Sequence, residues 1–284
     1  MGIRSIGNNL QTFLDTFLRS GTDAMFASNF SFDATGGTVF DSGGYRYHVF
    51  TASGPFNISS LGASPGQISN LLVVAGGGYG GLSRAGGGGA GGLRNISNIP
   101  VTVQDYTITV GGGAAVPGAA TPSSALSYTA TGGGSMPADG AVGPGGSGSG
   151  GPGNNSGAGG TGNVGGFTPP EGNPGGTGSA AIGGGGGGSA AAGNSAPGPY
   201  PAPGVQGGNG TLIPWVPSAY GENGYFAAGG SSTGYSGVPA PPGNTAGGGG
   251  GGDRAALANT GGGGGGYTPN AAGGSGVVIL RYLP

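Results

Sequence analysis

Few residues in this chain could do chemistry. There is one histidine, His48, with no cysteine and no lysine, and the nine acidic residues are scattered from Asp15 to Asp253. His48 falls inside the alternating run YRYHVF, which suits a structural or surface position in a strand and leaves a serine nucleophile without a visible base. Glu171 and Glu222 could act as a glycosidase pair only if folding brought their carboxylates within reach, and nothing in their spacing predicts that. A phosphate loop of the Walker type needs lysine, and G-x-G-x-x-G matches arise by chance in this composition. The expectation is therefore no catalytic residue, no cofactor and no metal site.

The remaining side chains with binding capacity are aromatic. Phe167, Tyr200, Trp215, Tyr220, Tyr225, Phe226, Tyr235 and Tyr267 lie in proline-containing segments between glycine runs. Stiff segments that display aromatic rings supply contact area at low entropic cost, which suits a receptor-contacting surface. The alternative is that these rings cap and shield the ends of the glycine-rich region.

Of 284 residues, 80 are glycine and 22 are proline. That composition points first to a disordered chain. Low charge argues otherwise: disordered segments usually combine low hydrophobicity with high net charge, whereas only 6% of these residues are charged and the net charge is −2. With no basic patch to neutralise phosphates, nucleic-acid binding is not expected. No stretch approaches the roughly 20 apolar residues of a membrane span, and the first residues contain no apolar run of signal-peptide length, so membrane insertion is not expected either.

The elements that must position these groups differ along the chain. Leu10, Phe13, Leu14, Phe17 and Leu18 recur at helical spacing behind Asn8 and Asn9 and before Gly21, predicting one short amphipathic helix within an attachment segment, residues 1–30. Residues 31–110 read as a β-platform. Tyr45, Tyr47, Val49 and Thr51 alternate with Arg46, His48 and Phe50, a turn lies at Asp41–Gly44, and LLVVAG and TVQDYTITVG read as further strands. The closing GVVILRYLP, within residues 276–284, predicts a strand that returns to complete the platform. Residues 111–275 form the glycine-rich remainder, although the insertion between platform strands already begins near Gly76.

Collagen is excluded because runs such as SGSGGPGNNSGAGGTG drift out of a three-residue register. A flexible linker of that length is a poor connection between strands that pair. Glycine can instead adopt polyproline II geometry, three residues per turn and about 3.1 Å per residue, and without Cβ atoms such helices can pack closely enough to hydrogen-bond backbone to backbone. The expected fold is thus mainly irregular and β: a small platform, a bundle of polyglycine II helices with variable loops, and the N-terminal helix. The three hexaglycines would lie at the bundle centre, with Gly183, Gly185, Gly188, Gly247, Gly250, Gly252, Gly261, Gly264 and Gly266 as core. The shorter runs at Gly76–Gly78, Gly86–Gly89, Gly111–Gly113 and Gly132–Gly134 would be peripheral, with Ala and Ser confined to edges.

The combination of YRYHVFTASGPFNI, LLVVAGGGYGG, GGGGAGG, YTITVGGG, repeated hexaglycine and GGSGVVILRY resembles the glycine-rich domain of tail-fibre and other virion proteins of tailed bacteriophages. It is also similar, more loosely, to T-even-like fibre-tip adhesins built as polyglycine II sandwiches. The resemblance covers about residues 36–284. It implies a virion protein that binds other tail, fibre or capsid components through its N-terminal segment and touches a host-surface glycan or outer-membrane protein through its loops, as a monomer or homo-oligomer. A capsid decoration or head fibre without a specific ligand is the alternative. An ice-binding protein fits less well, because bulky loops interrupt the flat face that ice requires.

Overall fold

A computed structural model describes residues 31–62, 66–81, 85–136, 141–154, 156–198, 203–234, 242–251, 254–266 and 271–284. These residues are mainly β, arranged in small antiparallel sheets, and contain no helix. The expected N-terminal helix with Leu10, Phe13, Leu14, Phe17 and Leu18 lies outside the described residues.

Twelve strands occur in chain order: β1 Phe32–Thr35, β2 Thr38–Ser42, β3 Tyr45–Phe50, β4 Gly54–Leu61, β5 Gln67–Val74, β6 Leu93–Pro100, β7 Asp105–Ile108, β8 Ser123–Ala125, β9 Tyr128–Ala130, β10 Thr211–Leu212, β11 Tyr225–Phe226 and β12 Val277–Tyr282. The largest sheet has the order β2-β3-β12-β5-β6, and a second has the order β1-β4-β7. β2 and β3 join through Gly43 and Gly44 at φ 58° and 80°, the backbone that a two-residue hairpin of this twist demands and glycine adopts without steric cost. Strand β12 sits in the middle of its sheet, with Ile279 opposite Val49 on one side and Leu72 on the other.

Central position explains the composition of β12. Alternate residues of a strand face opposite sides, so a strand covered on both faces must be apolar throughout. Val278, Leu280 and Tyr282 face the three-stranded sheet and pack with Phe32, Phe50, Phe56 and Ile58. Val277 and Ile279 face the other way and pack with Tyr47, Val49, Leu72, Val74, Ala90, Ile213 and Phe226. The large sheet is thus clad by strands on one face and by glycine-rich chain on the other. Strand β6, within the expected β-platform, was not singled out from sequence, because its polar run LRNISNIP lacks a clear apolar alternation.

Within the glycine-rich part the backbone is the packing material. Along residues 87–92, N–H groups donate in turn to Gly184, Gly264 and Gly134, then to Gly187, Gly261 and Thr131. Carbonyls of the same run accept from Gly150, Gly230 and Gly78, then from Ser147 at Ala90 and Ala75 at Gly92. Residues 184–189 behave alike, donating to Gly151, Asn194 and Gly230, then to Gly148, Ala191 and Ala227. The partner segment repeats every third residue, and these buried peptide groups are paired, as burial requires.

This arrangement corrects several expectations. The short run at Gly86–Gly89 belongs to a segment enclosed on all sides, not to the periphery. Gly247 and Gly248 carry φ of 121° and 80° and Gly261 carries 69°, so two hexaglycines open on turns rather than on uniform runs. Gly183, Gly185, Gly188, Gly250, Gly264 and Gly266 are buried in the runs, while Gly252 lies outside the described residues. Serine is not confined to edges either. Ser147, Ser149, Ser231 and Ser232 are essentially fully buried. Ser149 Oγ accepts from the Gly143 amide, Ser232 Oγ accepts from the Val205 amide, and Ser231 Oγ donates to the Pro242 carbonyl, each standing in for a backbone partner.

At the outside of the glycine-rich part a local triplet of exposure becomes visible. Ala158, Thr161 and Val164 are exposed, as are Pro174 and Thr177, while the glycines between them are half-buried or buried.

Candidate functional site

Pairing register assembles one row of side chains across the large sheet. Phe40 lies opposite Tyr47, Tyr47 opposite Arg281, Arg281 opposite Asn70 and Asn70 opposite Ser97. This row continues the sheet face that carries Val49 and Ile279, but near the strand ends where cover gives way to solvent. Phe40 stacks on Tyr47 at 4.9 Å between ring centroids, nearly parallel, and Tyr220 stacks on Phe40 at 5.8 Å.

Arg281 is the hub. Its guanidinium lies 4.1 Å from the Tyr45 ring centroid and 5.1 Å from that of Trp215, so its charge is held against π faces. Its Nε donates to Asn70 Oδ1 at 2.8 Å and one terminal nitrogen donates to the Tyr47 hydroxyl at 3.0 Å. That hydroxyl donates to the Trp215 carbonyl at 2.9 Å, and Trp215 Nε1 donates to Asn95 Oδ1 at 3.1 Å. Tyr45, Trp215, Tyr220 and Arg281 are half-buried and Asn95 is exposed. The cluster offers flat aromatic surface beside amide and guanidinium groups, which can stack on a ring and hydrogen-bond to hydroxyls.

The glycine-rich family model matches residues 51–283. The chain belongs to the glycine-rich domain family. No curated protein matches the sequence. Within this glycine-rich domain, the aromatic residues singled out from sequence do not form one group. Trp215 and Tyr220 join the Arg281 cluster. Phe226 is fully buried on the inner sheet face and presents no surface, and Tyr225 pairs with Leu212 in the β10–β11 ribbon. Phe167 lies under the guanidinium of Arg94 at 3.9 Å, and Arg94 also approaches the Tyr128 ring at 5.6 Å. Arg94 and Asn95 are neighbours on β6 and point to opposite faces, so Phe167 and Trp215 are on opposite sides of the sheet. Tyr200, Tyr235 and Tyr267 lie outside the described residues. Phe40, Tyr45, Asn70, Asn95 and Arg281 were not singled out as site residues; the strand alternation that placed Tyr45 beside Tyr47 was the signal that could have found Tyr45.

The titratable groups of the glycine-rich domain serve its frame. His48 is fully buried, with Nδ1 at 2.7 Å from the Gly36 carbonyl and Nε2 at 3.1 Å from the Tyr282 hydroxyl. A neutral ring donating from Nδ1 and accepting at Nε2 satisfies both contacts. Burial holds its pKa below the ordinary value, and burial pushes the Tyr282 phenol up to about 12.

Glu171 is buried, with its carboxylate accepting from the Thr131 and Gly165 amides. Glu222 pairs with Arg254 and accepts from the amides of Gly247 and Gly248, bracing the turn where that glycine run begins. Among the described residues the two glutamates share no partner and sit in separate structural roles. Among the described residues no group of His, Asp and Glu could hold a metal ion, and no helix is long and apolar enough to cross a membrane.

Proposed function

We propose that this glycine-rich domain is a virion attachment protein of the tail-fibre or adhesin type. Its glycine runs form a bundle of polyglycine II helices, a stiff frame that holds the aromatic surface around Arg281 toward a host-cell glycan. The N-terminal segment joins the frame to other virion proteins.

The observation that carries the proposal is the three-residue rotation of hydrogen-bond partners along residues 87–92 and 184–189. A helix of three residues per turn returns each peptide group to the same side after three residues, whereas an α-helix or strand does not. The triplet exposure of Ala158, Thr161 and Val164 supports the same geometry from side chains. A frame of this kind limits the motion of whatever it carries, which lowers the ordering cost of binding. The Arg281 cluster is the surface best suited to a sugar, because ring faces and hydrogen-bonding groups lie side by side there.

The test is adsorption. Purified protein is applied to host cells with and without competing surface glycan, alongside a Trp215→Ala, Arg281→Ala double variant, and antibody-gold labelling locates the chain on intact particles. Cell binding that the glycan and the variant both abolish, with gold at a tail or fibre tip, supports the proposal. Gold over the head and no cell binding would make the chain a decoration protein instead.

A further inference from the structure

Among the described residues, one side of the glycine-rich part leaves room for a further extended backbone run. A groove of about 500 Å³ runs beside residues 131–135, with Ala119, Ala120 and Pro122 on one wall and Pro144, Gly145 and Val164 on the other. Its floor is the segment Thr131–Met136, whose hydrogen bonds follow the same three-residue cycle as the enclosed runs. Gly133 and Met136 donate to Gly76 and Tyr79, while Thr131 and Gly134 donate to Glu171 and Ser147. The third row, the amides of Gly132 and Ser135, has no partner among the described residues, and neither does the Gly133 carbonyl. Gly132 and Ser135 are nevertheless buried from bulk solvent. Buried peptide groups without partners are uncommon, and here they repeat at the spacing at which a neighbouring helix would present its own.

We propose that this groove takes an extended glycine-rich segment of a different polypeptide, bound as an added polyglycine II helix. The inference rests on the polyglycine II reading given above. The walls select the sequence. Residues of the guest that pack on the floor and walls as closely as the chain's own runs pack on one another must be glycine, since at those existing contacts a Cβ on Gly132 would strike the Ala120 carbonyl and one on Gly145 the Gly134 amide. Residues on the open side are free to carry side chains. The guest is therefore a repeat of the form Gly-Gly-Xaa, the pattern that this chain itself shows on its outer runs at Ala158-Gly-Gly-Thr161 and Pro174-Gly-Gly-Thr177. Recognition is by main chain, as in strand addition to a sheet edge, but with three residues per turn. Exposed Val164, 54% accessible, lines the groove with Pro117 and Pro144 and adds an apolar rim against which outward side chains of the guest can rest.

The experiment uses the full chain and two fluorescent peptides of equal length, one a repeat of Gly-Gly-Ser and one of Ala-Ala-Ser, followed by anisotropy. Ala119→Trp fills the groove, and Ala158→Trp adds the same bulk on an outer row away from it. Binding of the Gly-Gly-Ser peptide alone, lost in Ala119→Trp and kept in Ala158→Trp at unchanged melting temperature, is the expected result. Absence of binding, equal binding of the alanine peptide, or binding indifferent to Ala119→Trp would overturn it. Dimerisation of the free chain that Ala119→Trp abolishes would also overturn it, because the occupant would then be a second copy. Hydrogen exchange of residues 85–92 in the same samples reports on the bundle independently. Slow exchange there with no peptide binding rejects the groove alone, and fast exchange rejects the polyglycine II reading.

Discussion

A β-carbon placed on Gly186 would fall on the carbonyl oxygen of Gly88, and that oxygen is already the acceptor of the Gly230 amide at 2.9 Å. One absent methyl group therefore lets three segments meet. Gly186→Ala should destabilise the protein by about 1–3 kcal/mol or more, since overpacking forces backbone apart rather than a side chain aside. Gly118→Ala, where the added carbon would meet nothing nearer than the Val116 carbonyl at 3.8 Å, should be neutral or slightly stabilising through the unfolded state. Urea unfolding of the two variants checks the contrast. Equal tolerance would remove the backbone-packed core.

Phe226 and Trp215, grouped together by sequence, should separate by experiment. Phe226 is fully buried between the sheet and the glycine runs, so Phe226→Ala should cost about 3–5 kcal/mol. Trp215→Ala removes one hydrogen bond to Asn95 and one ring from Arg281, a loss of about 1–2 kcal/mol. Denaturation midpoints together with cell adsorption distinguish them. Trp215→Ala should lose adsorption beyond its loss of stability.

Much of the β-platform was legible in the sequence because strands announce themselves by side-chain alternation. The YRYHVF run, the Gly43–Gly44 turn and the apolar VVIL of β12 each carry that signal, and β12 needed apolar residues on both faces because it became central. Strand β6 was not legible, since Ser97 and Asn95 lie on a sheet margin where polarity is tolerated. The order of the glycine runs was hidden for a different reason. Glycine carries no side chain to mark inside from outside, so run length suggested centrality, whereas the enclosed segment at 85–92 is interrupted by Ala90, whose methyl meets the sheet core. The Arg281 cluster was half legible: Trp215 and Tyr220 stood out in the sequence as aromatics, but Arg281 entered only as part of the closing strand.

Stability should fall toward both ends of the pH scale. His48 titrates lower in the folded state than its ordinary 6.5, because burial disfavours the charged ring. The unfolded chain then binds the extra proton first, and stability is lost as pH drops below about 6.5. Tyr282 moves the other way, from 10.0 to about 12. Its contribution is whole below pH 10 and declines as pH rises from there through about 12, as the unfolded chain ionises first. Melting temperatures across pH check both limbs. His48→Asn should flatten the acid limb and Tyr282→Phe the alkaline one.

Glu222 and Arg254 bridge a loop to the turn at Gly247–Gly248, with side-chain exposures of 11% and 23%. Glu222→Ala would leave the guanidinium and two amides short of their acceptor. A cost of about 2–4 kcal/mol is expected for a pair this sheltered. Hydrogen exchange should quicken at residues 247–251 before the β-sheets respond.

A core made of peptide groups also changes how stability responds to temperature. Unfolding an ordinary domain exposes apolar surface and raises the heat capacity by about 12–15 cal/mol/K per residue, whereas exposed polar surface lowers it. In this chain the sheets supply the first contribution and the glycine runs the second. The two oppose each other, so the free energy of unfolding should trace a shallow curve, with little loss on cooling and a slow decline on warming. Such a frame would keep its shape over a wide span of temperatures without being unusually stable at any one of them.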